Sequence, residues 1–375
     1  MKEYCIRPYE SGDEDKIVEL LQAVFDGWPQ MDLTCTSLDH WKWKYLDNPF
    51  EKNDIVVAGN EYRVIGCKHS IPLNIKVDRD IYFCNLGTDL AVHPEFRSQG
   101  ISKKIRDLNT ELKKKCGYEF AYFATSNPVM IQSFSGRPRF PHDIVNLVRI
   151  RDIDEHLKNM PVENSWFMKL GFRTSTLFNN LRSFFDGSEY EGQDQKIREV
   201  QSFDNRIDLF WNRISEHYSF IVERRRDYLN WRYCDSRGGD FIVKQIEEEK
   251  EVLGYCVLCI NRYRRKYPIG YIVDMLTLPD QPDVANALVA DAVNFFDEQN
   301  INIVNYLIVK GHPYERILNR YGFLNSRFKI HVFFGRRILR KYSHVVKKIE
   351  RSSANRVYFS YGDIDSLPAT MPSYR

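Results

Sequence analysis

The two halves of this 375-residue chain repeat one another, and the repeat limits the fold to two similar units in tandem. Trp43-Lys44-Tyr45 in the first half is matched by Trp231-Arg232-Tyr233 in the second. Gly66 follows Trp43 by 23 residues, and Gly254 follows Trp231 by the same interval. Agreement in residue type, spacing and order predicts an internal duplication. An aromatic triplet kept in both halves is more simply a packing element than a platform for stacking single-stranded nucleic acid.

A second pattern predicts a phosphate site in the first half. Residues 86–92 form a short apolar strand, which the turn His93-Pro94-Glu95-Phe96 ends. Residues 97–102, with the sequence RSQGIS, then open a helix. A glycine-containing loop at the start of a helix places several backbone N–H groups in one concavity, and the helix dipole adds positive charge there. The pyrophosphate of a nucleotide-tailed carrier is the ligand we expect.

The surrounding order of elements resembles a known family. Strands are predicted at residues 55–58 and near residues 64–66, and a further strand at residues 118–125 ends in Ser126-Asn127-Pro128. Over roughly residues 4–140 this order resembles the GNAT superfamily of acyl-CoA-dependent N-acyltransferases, whose loop reads Q/R-x-x-G-x-G/A. Ser102 stands at the last small position of that loop. The resemblance implies a mixed α/β fold with two GNAT-like domains in tandem.

The resemblance also implies an acyl-CoA site, with acetyl-CoA or another short acyl-CoA as the cofactor. Backbone groups of Leu90 and Val92 would pair with the pantetheine arm and polarise the thioester carbonyl. The side chain of Asn127 would contact the arm, although a plain Asn-Pro turn is the alternative. The residues that would hold the pyrophosphate are Arg97, Gln99, Gly100, Ile101, Ser102 and Lys103.

Candidate catalytic residues follow from strand alternation around Asp89. Side chains of a strand alternate between its two faces. We therefore expect Asn85, Gly87 and Asp89 to face the acceptor and Leu86, Leu90 and Val92 to face away. Asp89 is then the candidate base or amine anchor, and pairing with a nearby Lys or Arg is its alternative role.

The position of the acid that would protonate the leaving thiolate departs from the family pattern. The family often places a tyrosine seven residues after the Asn, and this chain has Phe134 there. Tyr122, Tyr118 and His142 are the possible substitutes.

The second half lacks the features of the phosphate loop. Its turn, residues 278–283, reads LPDQPD and contains no glycine. Two prolines remove backbone donors, and two aspartates would repel a pyrophosphate. We expect no cofactor there and a role in covering the acceptor side. The predicted boundaries are an N-terminal domain at 1–150, a linker with helical pieces at 151–200, a degenerate C-terminal domain at 201–336 and a basic, then polar tail at 337–375.

Composition narrows the function further. A net charge of +3 does not suggest a dedicated nucleic-acid binder. No apolar run approaches the roughly 20 residues of a membrane span, and the first residues lack the apolar core of a signal peptide. Of the eight cysteines, Cys256 and Cys259 form a C-x-x-C pair without a second pair, so we expect buried free thiols in a reducing cytoplasm and no metal site.

These patterns together predict an N-acyltransferase that moves an acetyl or short acyl group to an amine of a small molecule, sugar or peptide. Two alternatives remain open at this point. One is an acyl-CoA-binding or sensing module without turnover, and the other is a tRNA-dependent aminoacyltransferase of a related tandem fold.

Overall fold

The structure, a computed structural model, describes residues 4–159, 197–263, 266–365 and 367–368. These residues form two seven-stranded mixed sheets with helices packed on them. The strands are β1 (Cys5–Pro8), β2 (Val56–Gly59), β3 (Val64–Val77), β4 (Asp80–Val92), β5 (Phe120–Thr125), β6 (Ile144–Ile150), β7 (Ile197–Val200), β8 (Phe220–Val222), β9 (Phe241–Glu248), β10 (Glu251–Asn261), β11 (Ile269–Thr277), β12 (Ile303–Val309), β13 (Leu324–Lys329) and β14 (His331–Phe334). The helices are α1 (Glu14–Val24), α2 (Ser37–Tyr45), α3 (Ile101–Lys115), α4 (Pro128–Ser133), α5 (Ile153–Asn159), α6 (Arg206–His217), α7 (Arg226–Leu229), α8 (Pro282–Glu298), α9 (Tyr314–Arg320), α10 (Arg337–Lys341) and α11 (Ser343–Arg351).

The same core arrangement occurs in both sheets, and the predicted mixed α/β class is confirmed. The first sheet has the order β1-β2-β3-β4-β5-β14, with β8 paired to β3, and the second has the order β13-β6-β12-β11-β10-β9-β7. In each, an antiparallel pair is followed by a helix crossover to a parallel strand: β3-β4-α3-β5 in the first and β10-β11-α8-β12 in the second.

The second sheet includes one strand from the first half of the chain, and the first sheet includes two strands from the second half, β14 and β8. β6 lies in the second sheet between β12 and β13, whereas β14 lies in the first sheet beside β5. The predicted domains 1–150 and 201–336 therefore exchange strands, and the sheets do not follow the predicted boundaries. Residues 160–196, the greater part of the predicted linker, lie outside the described residues.

Equivalent glycines show the repeat at the level of contacts. Gly66 is paired with Val92, and Gly254 with Thr277, at the same point of the two sheets. A Cβ on Gly66 would lie 2.8 Å from Ile105 of α3, and a Cβ on Gly254 would lie 3.0 Å from Val284 of α8. Such distances leave no room for a methyl group, so glycine allows each crossover helix to lie close against its sheet.

The repeated aromatic triplets meet between the halves. The rings of Trp43 and Trp231 are stacked, with centroids 5.0 Å apart. The indole N–H of Trp43 donates to the carbonyl of Trp231 at 2.9 Å, and that of Trp231 donates to the carbonyl of Trp43 at 3.1 Å. This reciprocal contact is the pattern of a local two-fold relation, and it agrees with the packing role expected for the triplets.

A β-bulge in β4 interrupts the alternation of side chains that was expected around Asp89. The β3–β4 register shifts between Cys67 and His69, and Asp89 has a φ of +38°. The extra residue lets Thr88 and Asp89 point to the same side, because both side chains contact Tyr45 of α2. Asn85 lies on the opposite face with Asn109 of α3, so it does not share a face with Asp89.

The segment after Ser352, which belongs to the tail expected to be polar, lies in the core. Val357, Tyr358, Phe359 and Tyr361 are each at most 1% exposed. The tyrosines are buried with their hydroxyls bonded: Tyr358 donates to Asp274, and Tyr361 donates to Asn146. Burying a tyrosine ring is favourable when its hydroxyl finds such a partner.

Candidate functional site

A wedge between β4 and β5 forms the centre of the candidate site. The two parallel strands pair only from Cys84 to Leu86 and from Phe120 to Tyr122. Beyond Leu86 the β4 edge that faces β5, including the bulge, has no strand partner in the described residues. Unpaired backbone groups at a strand edge can bind an extended ligand arm as an added strand would. Leu90 and Val92, predicted to bind the cofactor, belong to this edge.

The loop before α3 presents free backbone donors. Ser98 and Gly100 have positive φ values of 63° and 75°, and Gly100 is the N-cap of α3 without a side-chain cap. The N–H groups of Gln99, Gly100, Ile101 and Ser102 find no acceptor among the residues that the structure describes. The first turn of α3 contains no acidic residue. The helix end therefore carries uncompensated positive charge suited to an anion.

The other predicted cofactor residues lie around this loop with specific partners. Arg97 donates from Nε to the carbonyl of Val92 at 3.2 Å, which ties the loop to the end of β4. Lys103 is exposed on the first turn of α3. Asn127 caps α4, its Oδ1 accepting from the N–H groups of Val129 and Met130 at 2.9 and 3.3 Å. The side chain of Asn127 thus stabilises the Asn-Pro turn, which was the alternative to a contact with the cofactor.

Asp89 lies on the face of the wedge opposite α3, surrounded by donors. Its Oδ2 accepts from the indole of Trp28 at 3.1 Å, from Lys44 Nζ at 3.1 Å and from the hydroxyl of Tyr45. Its Oδ1 accepts no hydrogen bond from any described residue, and the side chain is 11% exposed. One oxygen therefore fixes the carboxylate, and the other remains available to a ligand.

A second carboxylate shares the same ammonium. Lys44 Nζ also lies 3.4 Å from Asp365 Oδ2. Burial favours the neutral acid at both sites, but Lys44 and the Tyr45 hydrogen bond outweigh it at Asp89 and lower that pKa. At Asp365 burial dominates and, with the nearby Asp89 charge, raises the pKa. Environments that separate two carboxyl pKa values in this way are typical of acid–base sites.

A pocket between the halves adjoins this group. It is lined by Lys44 and Asp365 together with Arg232 of the second half. His40 also lines it, and burial lowers the pKa of that imidazole to about 3, so the ring is neutral. The polar groups of the pocket are thus two cations, one carboxylate and a neutral ring.

The other two predicted catalytic residues lie away from Asp89. Asn85 donates to the buried Asp54 at 3.2 Å on the α3 face. Tyr122 is 2% exposed, and its hydroxyl donates to the carbonyl of Asp363 at 2.7 Å. Burial also raises the pKa of that hydroxyl well above its ordinary value. Neither side chain is placed to exchange protons with a ligand beside Asp89.

The equivalent position in the second half is closed. Asp274, at the matching bulge of β11, is fully buried and binds Arg224, with Nε 3.0 Å from Oδ2. Four hydroxyls complete its shell, namely Tyr233 (3.2 Å), Tyr255 (3.0 Å), Tyr358 (2.8 Å) and Ser360 (3.0 Å). Arg224 also pairs with Asp363 at 2.7 Å. Asp274 is part of the core.

Sequence reasoning missed three residues around the wedge. Trp28 and Asp365 contact the Asp89 group from the α1–α2 loop and from the last described segment. Lys68 of β3 lies on the other face, beside Gly87. Spacing along the chain gave no signal for these contacts, because each depends on segments that are distant in sequence.

Comparison with known proteins agrees with the geometry. Residues 5–135 match the family model described as an acetyltransferase (GNAT) domain. No curated protein matches the chain in sequence.

Solved structures agree over both halves. Saccharomyces cerevisiae N-myristoyltransferase with bound myristoyl-CoA is similar with a TM-score of 0.58 at 12% identity, covering 89% of this chain and 78% of that one. An Enterococcus faecalis V583 protein described as a probable N-acyltransferase is similar with a TM-score of 0.57 at 9% identity, covering 88% and 72%. The chain therefore shares the fold of these two proteins over most of its length, and residues 5–135 of it match a GNAT domain. In the described ranges no helix is long and apolar enough to cross a membrane, and no cluster of three or more His, Cys, Asp or Glu side chains is placed to hold a metal.

Proposed function

We propose that this protein is an acyl-CoA-dependent N-acyltransferase of tandem GNAT-like domains that moves a short acyl group, such as acetyl, to an amine. One observation carries the proposal. The β4–β5 wedge has uncapped helix N–H groups at one end and a partly free carboxylate, Asp89, on its opposite face. A nucleotide-tailed thioester and an amine need these two environments on either side of one backbone edge.

The first half fits the CoA portion. The amides of residues 99–102 would bind the pyrophosphate, and the free edge of β4 from Gly87 to Val92 would pair with the pantetheine arm. Space favours this assignment, because nothing in the structure lies within 4 Å of the position of a Cβ on Gly100. Backbone amides of the same edge would donate to the developing oxyanion of the thioester carbonyl.

The acceptor amine would lie on the Asp89 side, with the second half covering it. Asp89 Oδ1 would hold the amine. Asp365, which contacts the other side of the Lys44 ammonium, would provide a second carboxylate with a higher pKa than that of Asp89. Arg232 and Lys44 line the adjoining pocket, whose volume of about 10 Å³ has room for one water-sized group of the acceptor, such as a single carbonyl oxygen. An acceptor that is a small molecule, a sugar amine or a peptide amine fits these groups.

Packing behind the wedge favours a short acyl group. Leu86, Tyr122 and Phe359 are each at most 4% exposed, and the rings of Tyr122 and Phe359 are 6.3 Å apart. A long acyl chain would have to displace these side chains, at several kcal/mol for a packed core.

A panel of acyl-CoA donors tests the proposal. Purified protein is mixed with acetyl-CoA, medium-chain and long-chain acyl-CoA and a mixture of amines, and free thiol is followed over time. Amine-dependent thiol release that falls with acyl length is expected. No release with any donor, together with a mobility shift of charged tRNA, would instead favour an aminoacyltransferase.

A binding module without turnover is the second candidate. Three donors already bind Asp89 Oδ2, and two of them, Lys44 and Tyr45, lower the pKa of Asp89 and weaken it as a base. In addition, Phe134 replaces the expected tyrosine. Calorimetric binding of acetyl-CoA without thiol release in the presence of amines would decide for this candidate.

A further inference from the structure

Lys68 is a cation at the base of the wedge that has no partner among the described residues. It lies on β3 where the bulge of β4 interrupts the pairing. Its Nζ is 3.3 Å from the position that a Cβ on Gly87 would occupy. Gly87 directly follows Leu86, the last β4 residue that pairs with β5. The ammonium is therefore beside the point where the wedge opens.

Nothing in the described part of the chain holds this ammonium by a hydrogen bond or ion pair. The side chain is only partly buried. This is unlike Lys44, which pairs with Asp89 and Asp365 on the other face. A buried or half-buried ammonium usually has a partner, because desolvation without compensation is costly. An unpaired one at an open edge indicates a ligand.

The charges around Lys68 adjust its proton affinity. Burial, together with the charges of Lys113 and Arg106 of α3, lowers the pKa of Lys68 to about 7, although Asp54 and Asp89 act in the opposite direction. Near neutral pH the amine thus exists in both protonation states. Such a group can both give and regain a proton.

Of the three possible substitutes for the missing tyrosine, two have hydrogen-bond partners. Tyr122 donates to Asp363, and the imidazole Nε2 of His142 lies 2.8 Å from the carbonyl of Ile349. The third, Tyr118, packs on Phe83 before β5 begins, at the end of the β4–β5 pairing away from the wedge opening. Phe134 carries no proton to give, and its ring lies under Arg106 and Arg137.

We propose that Lys68 is the proton donor to the leaving sulfur of the acyl-CoA substrate. The proposal rests on the proposed N-acyltransferase function. The neutral amine adds to the thioester carbonyl, and one amine proton passes to the Asp89–Asp365 carboxylates. When the C–S bond breaks, the electron pair goes to sulfur, which takes a proton from Lys68 Nζ. Lys68 regains a proton from water, and the carboxylates return theirs. Base and acid then act from opposite faces of the sheet.

The test compares Lys68→Met with Lys113→Met and Lys68→Arg. Lys113 is the matched control, because it is also a partly buried lysine on the α3 face, 16% exposed, but it lies near Asp54. We expect Lys68→Met to reduce kcat by roughly 100-fold, the lower end for loss of an acid, with unchanged calorimetric CoA affinity. Lys68→Arg should remain slow, since its guanidinium does not release a proton near neutral pH. Full rescue by arginine would overturn proton donation.

Two further measurements separate the role from a structural one. With an acyl thioester of an aryl thiol, whose thiolate needs no protonation, the gap between wild type and Lys68→Met should largely close. An equal gap with both donors would overturn the inference. Lys113→Met should retain turnover and move the alkaline limb of its pH profile upward, because a cation near Lys68 is removed.

Failure of the two proposals can be told apart. Turnover in Lys68→Met equal to wild type overturns the Lys68 inference and leaves the proposed function intact. A wild type that releases no thiol from any donor contradicts the proposed function, and the Lys68 inference falls with it.

Discussion

Asp89 and Asp274 occupy equivalent bulges in the two halves, yet their surroundings differ in one decisive way. Asp89 keeps one oxygen free of described partners and 11% of its side chain exposed. Asp274 is fully buried, and an arginine and four hydroxyls use both of its oxygens. The partner tyrosine is retained in each, since Tyr45 donates to Asp89 and Tyr233 donates to Asp274. A duplicated bulge can therefore serve as a site in one half and as core in the other.

The two crossover loops differ in the same direction. Both begin alike, because the N–H of His93 donates to Ile65 and that of Leu278 donates to Leu253. The first loop then continues through Ser98 and Gly100 with positive φ and leaves its donors free. The second reaches α8 directly, with Pro282 at its start and Asp283 in its first turn. Proline has no N–H to offer, and the carboxylate compensates the helix end.

Asp274→Asn should have the largest effect on folding. It leaves the buried Arg224 with a single carboxylate, Asp363. Breaking a buried ion pair on one side costs about 3–5 kcal/mol. The control is Asp297→Asn, which breaks a more exposed pair with Arg149 and should cost less than about 1 kcal/mol. Urea unfolding of both variants measures the difference. Equal losses in the free energy of unfolding would show that Asp274 does not have the structural role that distinguishes it from Asp89.

Asp89→Asn should act on turnover. If Asp89 Oδ1 serves the acceptor amine, kcat should fall by roughly 10²–10⁴-fold, while CoA affinity is spared. Glu95→Gln, an exposed carboxylate on the following turn, is the control and should leave both unchanged. If Asp89→Asn turns over as fast as the wild type from pH 6 to 9, Asp89 does not serve the reaction. The proposed distinction between a functional Asp89 and a structural Asp274 would then be lost.

The sequence predicted those parts of this comparison that are local. The triplets, the two glycines and the contrast between the loops depend on residue type and spacing within short segments, and the structure contains each of them. The expectation that Asn85 shares a face with Asp89 was wrong, because the bulge arises from register against β3 and not from β4 alone. Trp28, Lys68 and Asp365 could not be predicted, since tertiary packing alone brings them to the wedge. The exchange of β6 and β14 is a long-range pairing of the same kind.

Gly100→Asp tests the open loop. It places a carboxylate where the free amides of α3 would meet a pyrophosphate, so acetyl-CoA affinity should fall by about 10–100-fold, as expected for lost charge-assisted hydrogen bonds. Gly117→Asp is a matched control just beyond the opposite end of α3, with a φ of +82° against +75° and, like Gly100, no contact within 4 Å of an added Cβ. It should bind normally. The same calorimetric titration should count one CoA per chain, and two equivalents would mean that the second half also binds.

Buried histidines give the smallest expected effect and one that both halves share. Burial lowers the pKa of His69 to about 4 in the first half and that of His312 to about 3 in the second. Each imidazole is protonated in the unfolded chain below its usual pKa of about 6.5 but stays neutral in the fold. The unfolded state then binds more protons, so stability is full above about pH 6.5 and falls as the pH drops towards 4. Each histidine should contribute up to about 1.4 kcal/mol per pH unit in that window.

Urea unfolding at pH 7, 6 and 5 measures how the free energy of unfolding changes with pH, and His312→Gln and His69→Gln should each reduce that slope. If only one variant does so, acid sensitivity belongs to that half; if neither does, these histidines are not what makes the fold acid-sensitive.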